Sequence, residues 1–253
     1  MANVASANMA GAPLLTVEAV TMAFGGIVAI DDLSLDVKQG QILALMGPNG
    51  AGKTTTFHVI AGVHKPTRGR ILFRGEDITG MRPDGRCRAG HARTYQITQP
   101  FEELSVTENI MVGARPFHAS MAELRKASEA YADKVGLGDK LDMPAKGLST
   151  GQRKRLELAR AMATRPKLLL MDEVTGGVDM KSIPGLIDLV KTLRADGLTI
   201  VLIEHNMKVI NELADEAVFM NRGARMVSGT PHEVATDPAV VELYLGERAD
   251  HGA

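Results

Sequence analysis

The chain has 253 residues, 45% apolar and 23% charged, so it can bury a full hydrophobic core and lies at the upper end of the usual size of one domain. Its 29 basic and 30 acidic residues give a formal net charge of -1, which excludes a general positive field for nucleic acid or an anionic membrane surface. The single cysteine, Cys87, excludes an internal disulfide and is typical of a reducing compartment.

The start of the chain and its apolar runs bear on whether the chain enters a membrane. Met1 to Pro13 lack the basic start and apolar core of a secretion signal, so they predict a flexible tail. The longest apolar runs, Leu168 to Met171 and Ile200 to Ile203, are far shorter than the roughly 20 residues that span a bilayer. If a protein with this sequence works at a membrane, something other than these runs must anchor it.

The first predicted elements are a strand pair, then a strand, a loop and a helix. Leu15 to Val20 and Ile27 to Val37 are rich in β-branched residues and are separated by Gly25-Gly26, which predicts an antiparallel pair. Gln41 to Met46 is an apolar run that ends at glycines, and Lys53 to Ala61 has helical character. This order is typical of the opening of a parallel α/β unit.

The middle of the chain changes to helical character. Arg70 to Phe73 and Asp77-Ile78 predict another hairpin, whereas Asn109 to Val135, rich in Ala, Glu, Lys and Met, predicts a helix throughout. Ser149 opens a further helix to about Thr164. These segments predict a helical insert at residues 95–164.

The last third returns to buried strands. Leu168 to Met171 and Leu198 to Ile203 lack alternation and predict strands buried on both faces, joined by an amphipathic helix from Ile183 to Arg194. We therefore predict an α/β core at residues 14–94 and 165–253, which carries an antiparallel β subdomain and is interrupted by the insert.

A phosphate-binding loop lies between the first core strand and helix. Gly47-Pro48-Asn49-Gly50-Ala51-Gly52-Lys53-Thr54 satisfies the pattern G-x-x-x-x-G-K-[ST] in the required context, although a plain glycine-rich turn is the alternative. The glycines let backbone amides face one anion, and the helix N-terminus adds partial positive charge. The predicted nucleotide-binding residues are Asn49, Gly50, Ala51, Gly52, Lys53, Thr54 and Thr55. Lys53 is expected to reach the β and γ phosphates, and Thr54 to hold magnesium.

Two acidic residues follow a predicted buried strand. Asp172 and Glu173 come directly after Leu168 to Met171, at the strand end where open α/β sheets bind ligands. Alone, such a pair is often a solvated loop. After a phosphate-binding loop, it predicts a water-mediated magnesium ligand at Asp172 and a general base at Glu173.

The helix opening at Ser149 has two interpretations. Ser149 and Gln152 have the spacing of a capping box, which is a complete structural explanation, and Arg153-Lys154-Arg155 are expected to be an exposed basic face. However, Leu148 to Leu156 resembles the signature of ABC ATPases, usually Leu-Ser-Gly-Gly-Gln, and lies before the Asp-Glu strand as in that family. The resemblance covers Leu15 to Gly246 and makes a simple kinase or small GTPase improbable.

The family resemblance implies a P-loop NTPase of the ABC ATPase class, which binds ATP and Mg²⁺ and pairs head to tail with a second ATPase subunit. Ser149, Gly151 and Gln152 of one chain then face the ATP held at Lys53 of the other. By the same resemblance, Gln96 matches the glutamine loop that reaches magnesium, with Gln99 as the competing choice.

Three further positions gain roles from the resemblance. Phe24 matches the aromatic residue that stacks on adenine, although a lone Phe beside glycines is more often core. Asp179 matches an aspartate that contacts the opposite subunit, and His205 matches the histidine that holds the γ phosphate and attacking water. The departures from the family pattern are Thr150, Val174 and Met180, and none removes a functional side chain.

The sequence also resembles one subfamily, the ATPases of branched-chain amino acid importers. The segments that carry this resemblance are Phe24 to Gly26, Ala29 to Ser34, Arg93 to Gln96, Asp172 to Val174, Ile203 to Met207 and Tyr244 to Glu247. Importers of amides, urea or aromatic acids share these features, and a lipopolysaccharide-export ATPase shares the final residues.

The implied partners are transmembrane permease subunits, a second copy or related ATPase chain, and indirectly a periplasmic or extracellular solute-binding protein, with no nucleic acid. The implied location is peripheral, on the cytoplasmic face of the inner membrane. The rival interpretations are a soluble ABC ATPase acting on DNA or ribosomes, and a non-catalytic subunit that ATP merely regulates.

Overall fold

The computed structural model describes residues 12–96 and 98–243, and elements are numbered here in chain order. The chain divides into two compact units, Met1–Pro83 with Ala214–Ala253 and Asp84–Leu213, which we call the first and second units. Most of the predicted tail from Met1 to Pro13, and the ending from Tyr244 to Glu247, lie outside the described residues. The domain boundaries at residues 94 and 165 stay a prediction.

An antiparallel sheet forms one part of the first unit. Strands β1 (Leu15–Phe24) and β2 (Ile27–Val37) pair antiparallel around Gly25-Gly26, which confirms the predicted hairpin. Strands β4 (Arg68–Phe73) and β5 (Glu76–Asp77) complete the order β2-β1-β4-β5. Leu15 and Val17 are buried at alternate positions of β1, because successive side chains of a strand point to opposite faces, and after a register shift Val20 and Met22 are buried in the same way.

The phosphate loop also lies in the first unit. Strand β3 (Ile42–Met46), buried at every residue, runs parallel to β9 (Glu216–Asn221), and β9 pairs antiparallel with β10 (Ala224–Gly229). Helix α1 (Lys53–Ile60) follows the loop after β3, as predicted. Helix α8 (Pro231–Thr236) is preceded by its N-cap residue Thr230, which forms a capping box with Glu233.

Parallel strands form the centre of the second unit. Strands β8 (Thr199–Ile203), β7 (Leu168–Asp172) and β6 (His91–Arg93) are neighbours in that order, and both pairs are parallel. Helix α6 (Ile183–Ala195) connects β7 to β8, which confirms the predicted strand-helix-strand crossover. Two short helices, α2 (Pro83–Ala89) and α7 (Met207–Leu213), were not predicted.

Three helices between β6 and β7 pack on one another: α3 (Val106–Ala114), α4 (Met121–Lys134) and α5 (Thr150–Met162). The predicted continuous helix from Asn109 to Val135 is wrong, because a 3₁₀ turn at Arg115–Phe117 separates α3 from α4. Pro116 supplies the physical reason, since proline lacks an amide donor and its ring clashes inside an α-helix. Ser120 then caps α4 by accepting a hydrogen bond from the Glu123 amide, at 3.2 Å.

Two further 3₁₀ turns, Gly138–Lys140 and Ala145–Gly147, lead from α4 to α5. Among residues 12–96 and 98–243, no helix combines the length and apolar character that a membrane crossing requires.

Candidate active site

The backbone of the phosphate loop demands glycine at two positions. Gly47 and Gly52 have φ angles of 138° and 99°. A Cβ atom on Gly47 would lie 2.1 Å from the carbonyl oxygen of Met220, and one on Gly52 would lie 2.5 Å from that of Ala29. The loop therefore passes too close to neighbouring backbone for any other residue, which is a structural reason for these glycines beside the chemical one.

The start of α1 is suited to an anion. Its N-cap residue is Gly52, so no side chain caps the amides of the first turn, which carry the positive end of the helix dipole. The buried Lys53 side chain donates from Nζ to the carbonyl oxygens of Gly47, at 2.6 Å, and Pro48, at 2.8 Å. Amides and ammonium thus converge on the loop, and this donor set fits the phosphates of a nucleotide.

The other predicted residues of this loop differ in exposure: Asn49, Gly50 and Thr54 are exposed, Thr55 is half-buried and Ala51 is buried. Phe24, at the end of β1, is 44% exposed, so the alternative that it belongs to the core is wrong. The imidazole of His64 meets its ring edge-on, with 5.2 Å between centroids. An exposed aromatic face in the first unit is what stacking on adenine requires.

Glu173 is the centre of a side-chain cluster in the second unit. Its Oε2 accepts a hydrogen bond from Gln96 Nε2 at 2.9 Å, and its Oε1 lies 3.3 Å from His205 Nε2. The structure therefore brings together three residues that the sequence predicted, separated by up to 109 positions along the chain (205 - 96). Gln96, rather than the competing Gln99, makes this bond.

The backbone at Glu173 is strained. Its φ angle is 47°, in the left-handed region that non-glycine residues seldom occupy. Its amide donates to the Ile203 carbonyl at 2.9 Å, which fixes it at the end of β7 beside β8. Such strain persists where surrounding contacts impose it, and it concentrates at functional sites.

Asp172 ends β7 and forms a buried ion pair. Its Oδ2 lies 3.2 Å from Arg93 Nη2, and the Arg93 guanidinium also lies 5.0 Å from the centroid of the Tyr95 ring. Burial raises the pKa of Asp172, and the charge of Arg93 opposes that shift. The oxygen donors predicted for magnesium, on Asp172, Gln96 and Thr54, are of the hard type that this cation prefers.

The signature residues form the start of α5. Ser149 donates its amide to Gln152 Oε1 at 3.0 Å, and its Oγ accepts from the Gln152 amide at 3.4 Å, so the predicted capping box is confirmed. A Cβ atom on Gly151 would lie 3.3 Å from the Cβ atom of Ser182, which indicates close packing of α5 on the start of α6. Ser149 and Thr150 are exposed, Gln152 is half-buried and Gly151 is buried.

Asp179 shapes the loop before α6. Its carboxylate accepts hydrogen bonds from Ser182 Oγ at 2.7 Å and from the amides of Lys181 and Ser182, both at 3.1 Å. These bonds, the Ser182 hydroxyl first, lower the pKa of Asp179. The neighbouring Met180 is 76% exposed.

Lys154 contradicts the predicted basic face of α5. Its side chain is buried, and Nζ donates to the backbone carbonyls of Gln96 at 3.0 Å, Glu173 at 3.2 Å and Tyr95 at 3.3 Å. Burial lowers the pKa of Lys154, opposed by the charge of Glu157. The helical spacing of Lys154 with Gly151 and Leu158, which share the buried face, is the signal that could have revealed it.

Its neighbours Arg153 and Arg155 are half-buried. Arg153 donates to the carbonyls of Lys146 and Leu148, and Arg155 donates to that of Val135. The three basic residues therefore donate hydrogen bonds to backbone carbonyls, since guanidinium and ammonium groups carry several N–H donors.

Glu204 is a second residue whose role the sequence did not reveal. Its buried Oε1 accepts from the Thr175 amide at 3.0 Å and hydroxyl at 2.8 Å, while Oε2 accepts from the amide of His205 at 3.2 Å and that of Asn206 at 3.4 Å. It joins the loop after β7 to the loop after β8. Glu204 therefore fixes the backbone segments that present Glu173 and His205.

Comparisons with known proteins show the family and the fold of this chain. A family model described as ABC transporter matches residues 30–176, and one described as branched-chain amino acid ATP-binding cassette transporter matches residues 226–250. The high-affinity branched-chain amino acid transport ATP-binding protein BraF of Pseudomonas aeruginosa is 36% identical over 251 residues, covering 93% of this chain and 98% of the relative. LivG of Escherichia coli strain K12, described in the same words, is 34% identical with the same coverage.

Among solved structures, the ADP conformation of MJ1267, an ATP-binding cassette of an ABC transporter, superposes with a TM-score of 0.85 and 31% identity, covering 93% of this chain and 100% of that one. The predicted fold class, an α/β P-loop NTPase with an antiparallel β subdomain and a helical insert, is confirmed. A family match over more than half of the chain, and relatives that cover nearly all of it, show that this chain belongs to the ABC transporter family as an ATP-binding ATPase subunit.

Proposed function

We propose that this chain hydrolyses ATP to drive an importer of branched-chain amino acids. The observation that supports hydrolysis most strongly is the cluster of Gln96, Glu173 and His205 around one carboxylate. The names of BraF and LivG, and the match at residues 226–250, support the solute class.

Each side chain has a distinct part in hydrolysis. Lys53 and the loop amides bind the β and γ phosphates, and Phe24 stacks on the base. Glu173 accepts a proton from the attacking water, while Gln96 and His205 orient its carboxylate and that water. Thr54, Gln96 and Asp172 would hold Mg²⁺, which would neutralise phosphate charge when bound. A positioned general base of this kind contributes roughly 100- to 10,000-fold to the rate.

A second ATPase chain completes the site. Ser149, Gly151 and Gln152, at the capped start of α5, face the γ phosphate bound to the partner chain, and Asp179 contacts that chain. The N-terminal dipole of α5 attracts the phosphate charge. ATP favours closure only by binding the closed dimer more strongly than the open one, and the signature residues supply that difference.

Closure and reopening of the ATPase dimer are transmitted to membrane partners. We infer that transmembrane permease subunits bind the segment near Gln96 to Thr107, and that a periplasmic or extracellular solute-binding protein acts through them. The subunit would then work peripherally, on the cytoplasmic face of the membrane, without nucleic acid.

The test is purification from detergent-solubilised membranes followed by reconstitution with the copurified permease subunits. With the solute-binding protein present, leucine, isoleucine or valine should raise ATP turnover at least severalfold, whereas urea, amides and phenylalanine should not. Stimulation by one of the latter solutes would identify a related importer instead. Copurification of ribosomal or DNA-bound proteins alone would contradict the transport function.

A further inference from the structure

Three charged side chains stand three residues apart on α5: Lys154, Glu157 and Arg160. Residues at this spacing are neighbours on one face of a helix. Lys154 is only 3% exposed, and Glu157 and Arg160 are half-buried. Their charges alternate, so each cation lies beside the carboxylate. We call these three residues the charged ladder.

Each member of the ladder holds a different part of one chain segment. Lys154 Nζ donates to the carbonyls of Tyr95 and Gln96, and Glu157 Oε1 accepts a hydrogen bond from the Tyr95 amide at 2.8 Å. Arg160 Nη1 donates to the Gln99 carbonyl at 3.0 Å. We call Tyr95, Gln96, Gln99 and Phe101, which lie on both sides of residue 97, the glutamine segment.

Arg160 makes a second contact with this segment. Its guanidinium carbon lies 4.8 Å from the centroid of the half-exposed Phe101 ring, within the range of a cation–π interaction. The ladder thus holds both described parts of the segment, through main-chain groups and one aromatic ring. Main-chain contacts of this kind set the position of the backbone whichever side chains it carries.

Lys154 extends the ladder to the candidate base. Its ammonium donates to the Glu173 carbonyl at 3.2 Å, in addition to the carbonyl of Gln96 at 3.0 Å. One buried cation therefore ties together the backbones of the two residues whose side chains share the 2.9 Å hydrogen bond. Charge-assisted hydrogen bonds are roughly twice as strong as neutral ones, so this bridge is well suited to hold that geometry.

We propose that the charged ladder positions Gln96 and Glu173 and makes the glutamine segment move with α5. The functional part of this inference rests on the proposed roles of Gln96 and Glu173 in hydrolysis. Lys154, Glu157 and Arg160 act through those residues and are positioning residues. Because α5 begins at the signature residues, a displacement of the signature would be transmitted through the ladder to the segment.

Hydrogen exchange of the purified subunit, read by mass spectrometry, tests the contacts without requiring turnover. Glu157→Ala removes the hydrogen-bond acceptor of the Tyr95 amide. Exchange of the Tyr95 amide hydrogen should therefore become at least roughly tenfold faster. Arg153→Ala is the matched control, because Arg153 lies on the same helix but holds the carbonyls of Lys146 and Leu148. This control should leave exchange in the glutamine segment unchanged.

Kinetics of the same variants separate positioning from binding. In Glu157→Ala, Lys154→Ala and Arg160→Ala, kcat should fall by roughly 10- to 100-fold, the size expected from a small misplacement of catalytic groups. The Kd for ATP, measured with a fluorescent nucleotide, should stay within about twofold. The conservative variants Lys154→Arg, Glu157→Gln and Arg160→Lys should restore part of kcat.

The results that overturn the inference are unchanged Tyr95 exchange in folded Glu157→Ala, or a wild-type kcat in all three alanine variants. If the alanine variants fail to fold, Lys154→Met, Glu157→Met and Arg160→Met keep most of the side-chain volume and remove the polar groups, and wild-type Tyr95 exchange and kcat in that set overturn the inference. Glu173→Gln keeps the two proposals apart. If this variant hydrolyses ATP at the wild-type rate, Glu173 is not the general base. The exchange experiment tests the charged ladder independently of that result.

Discussion

At the scale of single residues, Ser149 shows why a structural role and a functional role need separate tests. Its hydroxyl and amide complete a capping box with Gln152, and Ser105 forms the same motif with Glu108 at the start of α3. Helix capping explains Ser105 completely. For Ser149, the family resemblance adds a contact with ATP on another chain.

The two caps provide a matched pair of variants. Ser149→Ala and Ser105→Ala should each lower the free energy of unfolding by about 1 kcal/mol, because each leaves one helix amide without its acceptor. Only Ser149→Ala should weaken dimer formation with ATP. Urea unfolding measures the first effect and sedimentation velocity the second. If both variants dimerise equally well with ATP, Ser149 caps α5 and has no role in the dimer.

Asp179 makes a pH-dependent contribution to stability. Hydrogen bonds from Ser182 and Lys181 lower its pKa below the ordinary value of 3.8. A carboxyl group with a lowered pKa stabilises the folded state above its unfolded pKa, and that contribution disappears as the pH falls through the folded value. Asp179→Asn should therefore lower Tm at pH 7 and have a smaller effect near pH 3, measured by thermal denaturation. A difference in Tm that grows in acid would contradict this.

At the scale of elements, the phosphate loop combines chemistry with tight packing. Gly47 lies where a Cβ atom would approach the Met220 carbonyl oxygen to 2.1 Å, whereas Gly40, also at positive φ, has no atom within 4 Å of such a Cβ. Gly40 therefore serves as a control for the conformational preference alone.

Alanine substitutions at these two glycines should differ in cost. Gly40→Ala should lower the free energy of unfolding by about 1–2 kcal/mol, the cost of a left-handed backbone for an L-residue. Gly47→Ala adds an atomic overlap and should lower it by roughly 3 kcal/mol or more. Chemical denaturation of both variants measures the difference. Equal losses in the free energy of unfolding would show that the backbone at Met220 shifts at little cost to make room for the added Cβ atom.

Elements with strong local signals were predictable from the sequence. The crossover from β7 through α6 to β8 and the loop before α1 follow from apolar runs, glycines and a helical period. The break between α3 and α4 was missed because residue composition outweighed the single Pro116 in the prediction. Short elements such as β6 have too few residues to show any period.

The candidate site was predictable in its side chains more than in its supports. Glu173 and His205 were identified through motifs, but Glu204 and Lys154 were not, because the contacts that give them their roles, with Thr175 and with the Glu173 carbonyl, join residues far apart in the sequence. A lysine in a run of basic residues is usually solvated. Its burial follows from the packing of α5, which the run Arg153-Lys154-Arg155 alone does not reveal.

At the scale of the whole molecule, the first unit carries the phosphate loop and the second carries the cluster around Glu173. The signature residues also belong to the second unit, and Ser149 and Thr150, at the start of α5, are exposed. We propose that these exposed residues face the ATP of a second chain. In this proposal, ATP binding closes the dimer and hydrolysis reopens it.

The most direct measurement is the assembly state of Glu173→Gln by sedimentation velocity. This variant keeps the phosphate loop and the signature but lacks the base, so with Mg²⁺ and ATP it should accumulate as a stable dimer with negligible hydrolysis. With ADP, or with Lys53→Ala added, it should remain a monomer. A monomer at saturating ATP, or hydrolysis at the wild-type rate, would contradict the account.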